Sequence, residues 1–219
     1  NMLRDYVASY ANGMLNSEPE FKTLKETDTT AVIDSDKALG LHVGPYAMRV
    51  AIEKARKHGT SSVIVIGAGH LGGAGYHASL ASNSNMIGQV MAGPGGDKTL
   101  PTFGAVPRFG THPIAWAAPA RKQAPFLFDI ATTQVAGNKL ALAARVGAQV
   151  EPNWIADETG SAINSVSKLP EKFFMLPFGG TRENGSHKAY GLMTMIDIMC
   201  NTVSGLGVGF LTGGGGQMF

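Results

Sequence analysis

The chain has 219 residues, 44% hydrophobic and 16% charged, with a formal net charge of +2 at pH 7. That balance excludes a disordered chain and fits one large domain over residues 1–219, while the scattered lysines and arginines exclude the basic stripe of a nucleic-acid-binding surface. No apolar run reaches the roughly eighteen residues that span a bilayer, and the first residues lack the layout of a secretory signal, so a cytoplasmic protein without a membrane partner is expected.

In chain order, Leu3–Leu15 places Leu3, Tyr6, Val7, Tyr10 and Met14 on one stripe and predicts an amphipathic helix ended by Asn16-Ser17 and Pro19. Phe21–Asp34 alternates short apolar stretches with Lys, Glu and Thr, which predicts a half-exposed strand pair. Pro45–His58 reads as a helix with proline in its first turn and Gly59 as its stop. The β-branched run Ser62–Ile66 predicts a fully buried strand, followed by the glycine loop Gly67–Gly75 and a helix over Tyr76–Ala81. Met86–Ala92 is a further strand leading into Gly93-Pro94-Gly95-Gly96, and Ile114–Ala118 and Phe126–Ile130 are two more buried-strand candidates. Val135–Val146 is a helix ended by Gly147, and the polar stretch Asn153–Lys168 is expected on the surface. The last helix runs from about Lys188 to Val203 and carries the single cysteine, Cys200, which reads as a small buried hydrophobe and excludes an internal disulfide or a cysteine-based metal site. Residues 205–219 contain so much glycine that an irregular tail is expected. Strands alternating with helices give an α/β fold with a mixed sheet flanked by helices.

Gly67-Ala68-Gly69-His70-Leu71-Gly72 spells GxGxxG after a buried strand and before a helix, the context of a dinucleotide fingerprint. The mechanism of that motif also needs an acidic side chain about twenty residues later to hold the ribose hydroxyls. No Asp or Glu lies between Glu53 and Asp97, so the fingerprint is incomplete. A histidine inside the loop points instead to proton chemistry near neutral pH. A purely structural glycine turn stays open beside it.

A different set of blocks is more specific. His70-Leu71-Gly72-Gly73-Ala74-Gly75-Tyr76, Phe109-Gly110-Thr111-His112-Pro113, Phe128-Asp129-Ile130-Ala131-Thr132-Thr133 and His187-Lys188-Ala189-Tyr190-Gly191 occur in an order and spacing that resembles the type 2 malate/L-lactate dehydrogenase family. That resemblance implies a non-Rossmann fold and hydride exchange between NAD or NADP and a small 2-oxo, 2-hydroxy or cyclic 2-imino carboxylate. His70 falls on the family's loop histidine, which implies a proton donor and acceptor for the carbonyl oxygen or a side chain that orients the substrate. Thr111, and His112 in place of the family's asparagine, fall on a substrate-contacting block. Gly69, Leu71, Gly72, Asp129, Ile130, Ala131 and Thr132 fall on cofactor-contacting blocks. Lys188 matches a lysine suited to a phosphate, with Ala189 replacing a glycine. Gly93 lies where the family has a Thr-Asn-x-Ser segment, so loop N–H groups there would have to substitute for lost side-chain contacts.

Each block has a plain structural alternative: helix capping for His70 and Thr132, a solvated side chain for Lys188. The match starts after the family's Ser-His-Gly motif and stops before its C-terminal stretch, which implies a truncated form. Two functions therefore stay open, an oxidoreductase and a dehydrogenase-derived binding or regulatory module without hydride transfer. No Gly-x-Ser-x-Gly context marks a hydrolase, and the seven-residue spacing of His70 and His77 does not match a paired helical metal site. No metal is expected. A homodimer or higher homo-oligomer is expected, from apolar surface left on the first and last helices.

Overall fold

The computed structural model describes residues 2–96 and 98–219. Helix α1 (Leu3–Ala11) forms, yet contains no buried residue. Leu3 and Val7 remain 63% and 60% exposed, so the apolar stripe faces outward. Strands β1 (Lys22–Glu26) and β2 (Thr30–Asp34) form the expected antiparallel pair, with Ala31 and Ile33 of β2 buried. Helix α2 spans Gly40–His58, so Pro45 lies inside it rather than in its first turn. The earlier start is invisible to propensity because glycines open the helix, but Gly40, Val43 and Gly44 are buried and packing overrides that cost. Gly59 stops the helix at φ 87°, a left-handed conformation open to glycine without a Cβ penalty.

Strand β3 (Ser62–Ile66) is central and buried, with Val63 and Val65 fully enclosed. Each such side chain contributes about 1.5–3 kcal/mol by leaving water. Helix α3 (Ala74–Asn83) follows, then β4 (Gly88–Pro94), β5 (Ile114–Ala118) and β6 (Phe126–Ile130). The buried reading of Phe126–Ile130 is corrected: β6 is an edge strand pairing with β5, and Phe126, Leu127 and Phe128 stay exposed. Its apolar composition fixes that it is a strand but not whether anything covers it.

Beyond β6, helix α4 (Gly137–Val146) ends at Gly147, as expected. The short strands β7 (Gln149–Val150), β8 (Ile155–Ala156), β9 (Ser167–Lys168) and β10 (Phe174–Met175) pair as β7–β9 and β8–β10. A separate apolar cluster of Val135, Leu140, Ala143, Val150, Ile155 and Met175 holds this region. Residues 153–168 are therefore more than a surface excursion, since Ile155 and Ala156 are fully buried. Helix α5 (Ser186–Asp197) runs into a π-helical turn, Ile198–Thr202, that together occupy the expected last helix.

The main correction concerns residues 205–219. They contain a short helix, α6 (Gly209–Thr212), and strand β11 (Gly214–Met218), which occupies the middle of the seven-stranded sheet in the order β1-β2-β3-β11-β4-β5-β6. A ladder needs backbone groups rather than side chains. The glycines here answer to space: a Cβ on Gly216 would collide with the Cys200 carbonyl, and one on Gly95 with the Gly213 carbonyl. The sheet is mixed, with β2 and β3 parallel and β11 antiparallel to both β3 and β4. A strand that leads into GxGxxG but has an antiparallel neighbour on one side is not part of a doubly wound Rossmann core.

Side chains alternate between the sheet's faces. Val90, Ala92, Ala115 and Ala117 pack with α2 and α3 on one face. Met91 and Ile114 pack with Ile196 and Cys200 of α5 and the π turn on the other. None of the described helices is long and apolar enough to cross a membrane.

Candidate active site

The loop between β3 and α3 is held at four points. Gly69 N–H donates to the Ala38 carbonyl at 2.8 Å, and the Gly69 carbonyl accepts from Nε2 of Gln217 in β11 at 2.7 Å. The Leu71 carbonyl accepts from Nε2 of His77 at 2.9 Å. Gly75 N–H, in the first turn of α3, donates to Oδ2 of Asp129 at 2.7 Å. This last bond supplies an acceptor to an otherwise orphaned helix donor and brings the end of β6 against the loop.

Within that clamp, His70 is the exposed side chain. Its Nδ1 lies 3.2 Å from the Gly72 N–H and 2.6 Å from the Tyr6 hydroxyl of α1. A backbone N–H can only donate, so Nδ1 is an acceptor and the neutral ring carries its proton on Nε2. Nε2 has no partner among the described residues. Partial burial pushes the imidazole pKa below its ordinary value. The ring is therefore neutral at pH 7, with an N–H donor free. His77 is buried completely, and its pKa is likewise pushed down by burial.

The remaining expected site residues divide into two groups. Asp129 is exposed and one of its oxygens is used by Gly75. Thr111, Ile130, Ala131 and Gly72 are half-buried near the ends of the same elements, and Lys188 is exposed in the first turn of α5. These can present groups to a ligand. The others are committed elsewhere. Thr132 is fully buried, its hydroxyl donating to the carbonyls of Thr111 at 3.0 Å and His112 at 2.9 Å, so it ties β6 to the entry of β5. Nor does it cap α4, whose N-cap is Ala136. Gly69 has both backbone groups occupied, and Leu71 and Ala189 are core side chains. Gly93 is a sheet residue paired with Gly216, and its carbonyl accepts from Asn201.

His112 is held in a second network, in the interior. Its side chain is fully buried, and because a carboxylate only accepts, its Nε2 donates to Oδ1 of Asp197 at 3.3 Å. Its backbone adopts φ 37°, and its ring lies 4.7 Å from that of Phe109. The same carboxylate accepts from Asn201 Nδ2 at 2.7 Å and, through Oδ2, from Gly209 N–H at 3.1 Å. Burial alone would raise the Asp197 pKa, but the bonds from His112, Gly209 and Asn201 outweigh it and hold the pKa below the usual carboxylate value. Asn201 then joins Gly93 to Gly216, so this network fixes the sheet around β11.

The loop at the carboxyl end of β3, the end of β6 and the entry to β5 are thus linked at one end of the sheet. The helices carrying the loop and Lys188 lie on opposite faces, and no bond joins Lys188 to the His70 loop. A cavity of about 460 Å³ lies at the other end, lined by Ser61 just before β3, Gly88 at the start of β4 and Trp116. It touches none of the expected site residues. Sequence reasoning missed Tyr6, His77, Gln217 and Asp197. Tyr6 was legible only as a member of a helical stripe, and nothing in its spacing points to a residue 64 positions away.

Residues 1–217 match the model of the malate/L-lactate dehydrogenase family. Malate dehydrogenase from Pyrococcus abyssi is 39% identical over 204 residues, 93% of this chain and 56% of that protein. L-sulfolactate dehydrogenase from Methanocaldococcus jannaschii is 35% identical over 205 residues, again 93% of this chain and 56% of the relative. The crystal structure of malate dehydrogenase from Entamoeba histolytica superimposes with a TM-score of 0.87 at 28% identity, covering 97% of this chain and 63% of that one. A mixed sheet with the loop histidine at one end, matched over almost the whole chain, places the protein: it belongs to the malate/L-lactate dehydrogenase family and spans about half the length of the curated relatives it matches.

Proposed function

We propose that the chain carries the proton-transfer part of a nicotinamide-dependent oxidoreductase acting on small 2-oxo or 2-hydroxy carboxylates, with cyclic 2-imino carboxylates as the neighbouring substrate class. The observation that carries this reading is His70, a clamped, neutral imidazole whose Nε2–H is free at the end of the sheet. Bound NAD or NADP would supply the hydride. The residues present fit such a group. Oδ1 of Asp129 has no partner among the described residues and suits a ribose hydroxyl or a carboxamide N–H. Lys188, with no ion pair among the described residues, offers a cation beside first-turn N–H groups of α5, which suits a phosphate.

In this reading, His70 gives its Nε2 proton to the oxygen that gains negative charge when the carbonyl carbon is reduced, and Thr111 lies beside the substrate. Ile130 and Ala131 border the nucleotide next to Asp129, while Gly72 leaves room for it beside the loop. The relatives named as malate and L-sulfolactate dehydrogenases support the substrate class. The outward-facing stripe of α1 supports self-association, and a cytoplasmic enzyme working as a homodimer or higher homo-oligomer is the proposed form. Titration with NADH and with NADPH, followed by the fluorescence of Trp116 and Trp154, tests the reading. Saturable binding of one of them below millimolar is expected, with turnover of a 2-oxo acid abolished in His70→Gln while binding persists. Failure of both nucleotides to bind would overturn it.

A further inference from the structure

We propose that Tyr6 is the positioning residue of His70 and its proton relay: the phenol fixes the tautomer with hydrogen on Nε2 and refills the ring when that hydrogen leaves. This rests on the oxidoreductase reading for its catalytic half and on geometry alone for its tautomeric half. The Tyr6 hydroxyl lies 2.6 Å from Nδ1, whereas the Gly72 N–H lies at 3.2 Å, the long end of the hydrogen-bond range. The phenol is therefore the stronger of two donors competing for one lone pair. The two rings also touch, with centroids 5.9 Å apart.

The relay is needed because a neutral imidazole cannot give up its only N–H proton without replacement. With a bound nicotinamide supplying hydride to the carbonyl carbon, the Nε2–H bond would break and an O–H bond would form on the substrate oxygen. The Tyr6 O–H bond breaks in turn and an N–H bond forms at Nδ1, leaving the ring neutral in its other tautomer. The phenolate then takes a proton from water. Burial, and then the charge of Asp5, push the Tyr6 pKa above its ordinary value, so the phenol holds its proton until the substrate oxygen becomes a stronger base. Tyr6 is only half-buried and no residue of α1 belongs to the core, so the hydroxyl can be removed without opening a cavity.

The test compares the wild type with Tyr6→Phe, using His70→Gln to assign the ring signals. Nitrogen-15 shifts of His70 near pH 8 are expected to show a pyridine-like Nδ1 and a pyrrole-like Nε2 in the wild type, and averaged values in Tyr6→Phe. Circular dichroism should be unchanged. With a 2-oxo acid, Tyr6→Phe should lower kcat by about ten- to a hundredfold with KM nearly constant, within the range of general acid–base effects. A wild-type ring protonated on Nδ1, or a Tyr6→Phe ring with unchanged shifts, overturns the proposal. So does an unchanged kcat. If no nucleotide binds, the oxidoreductase reading falls with the relay, and the nitrogen shifts still decide whether Tyr6 sets the tautomer.

Discussion

Asp197 shows how one side chain can set the local order of a fold without touching a ligand. It answers His112, Asn201 and Gly209 together, and all of these lie in the interior near β11. Replacing it with alanine leaves an imidazole N–H, an amide and a backbone N–H without their acceptor. Each such orphan costs about 1–3 kcal/mol, and breaking a buried charged network costs about 3–5 kcal/mol in sum. Asp197→Ala is therefore expected to lose about 3–5 kcal/mol in urea unfolding, with the dependence on urea little changed. A loss below about 1 kcal/mol, the worth of a surface pair, would show that the network is solvated. None of this was legible beforehand, because His112 and Asp197 are 85 positions apart and motif matching placed His112 against substrate. A motif fixes where a residue stands along a chain, whereas burial depends on what the rest of the chain brings to it. The places of His70 on a loop and of Asp129 at a strand end were legible because local apolar and glycine patterns set them. Thr132 was legible in position but not in use, since its hydroxyl is spent on the Thr111 and His112 carbonyls.

Among the elements, legibility follows side-chain information. Strands β3, β5 and β6 have the bounds expected from their β-branched or apolar runs, and Gly59 and Gly147 end their helices as expected. Strand β11 has almost no apolar pattern, because its entry must pass between the Gly93–Gly95 and Cys200–Asn201 backbones. Its place is set by ladder bonds and by close backbone approach, neither of which hydropathy records. That makes β11 a sharp test of the topology. Met218 pairs with Ile64 on one side and Met91 on the other. Proline at 218 would remove a ladder N–H from the middle of the sheet and add a ring where strands approach on both sides, a loss of about 3 kcal/mol or more. Met218→Pro should give a protein with lost near-ultraviolet signal and rapid proteolysis of the 205–219 segment. Proline at Leu24, in the exposed edge strand β1, should be far milder. Equal stability of the two variants would mean that β11 is not inserted between β3 and β4.

For the whole molecule, the same groups that position the loop and the sheet also make the fold sensitive to acid. His70 and His77 both have pKa values pushed below the ordinary 6.5 by burial. Between those lowered values and 6.5, the unfolded chain binds more protons than the folded one, so stability rises with pH through that window and is lost as pH falls through it. Asp197 acts in a second window. Its folded pKa lies below the ordinary 3.8, so its contribution is complete above 3.8 and disappears as pH falls through the lowered value. Cys200 adds nothing in either range, because burial pushes its thiol up to about 12. Thermal unfolding measured from pH 8 to pH 3 should show Tm declining first below about pH 6.5 and again below about pH 4. His77 dominates the first decline, since protonation would charge a ring with no exposed surface that packs against Gly44 and Phe219. His77→Gln, which can still offer an amide N–H to the Leu71 carbonyl, should flatten the first decline and leave the second intact. A Tm that stays level from pH 8 to pH 5 in the wild type would show that neither imidazole is held neutral by the fold, and the clamp around the His70 loop would then be looser than its hydrogen bonds imply.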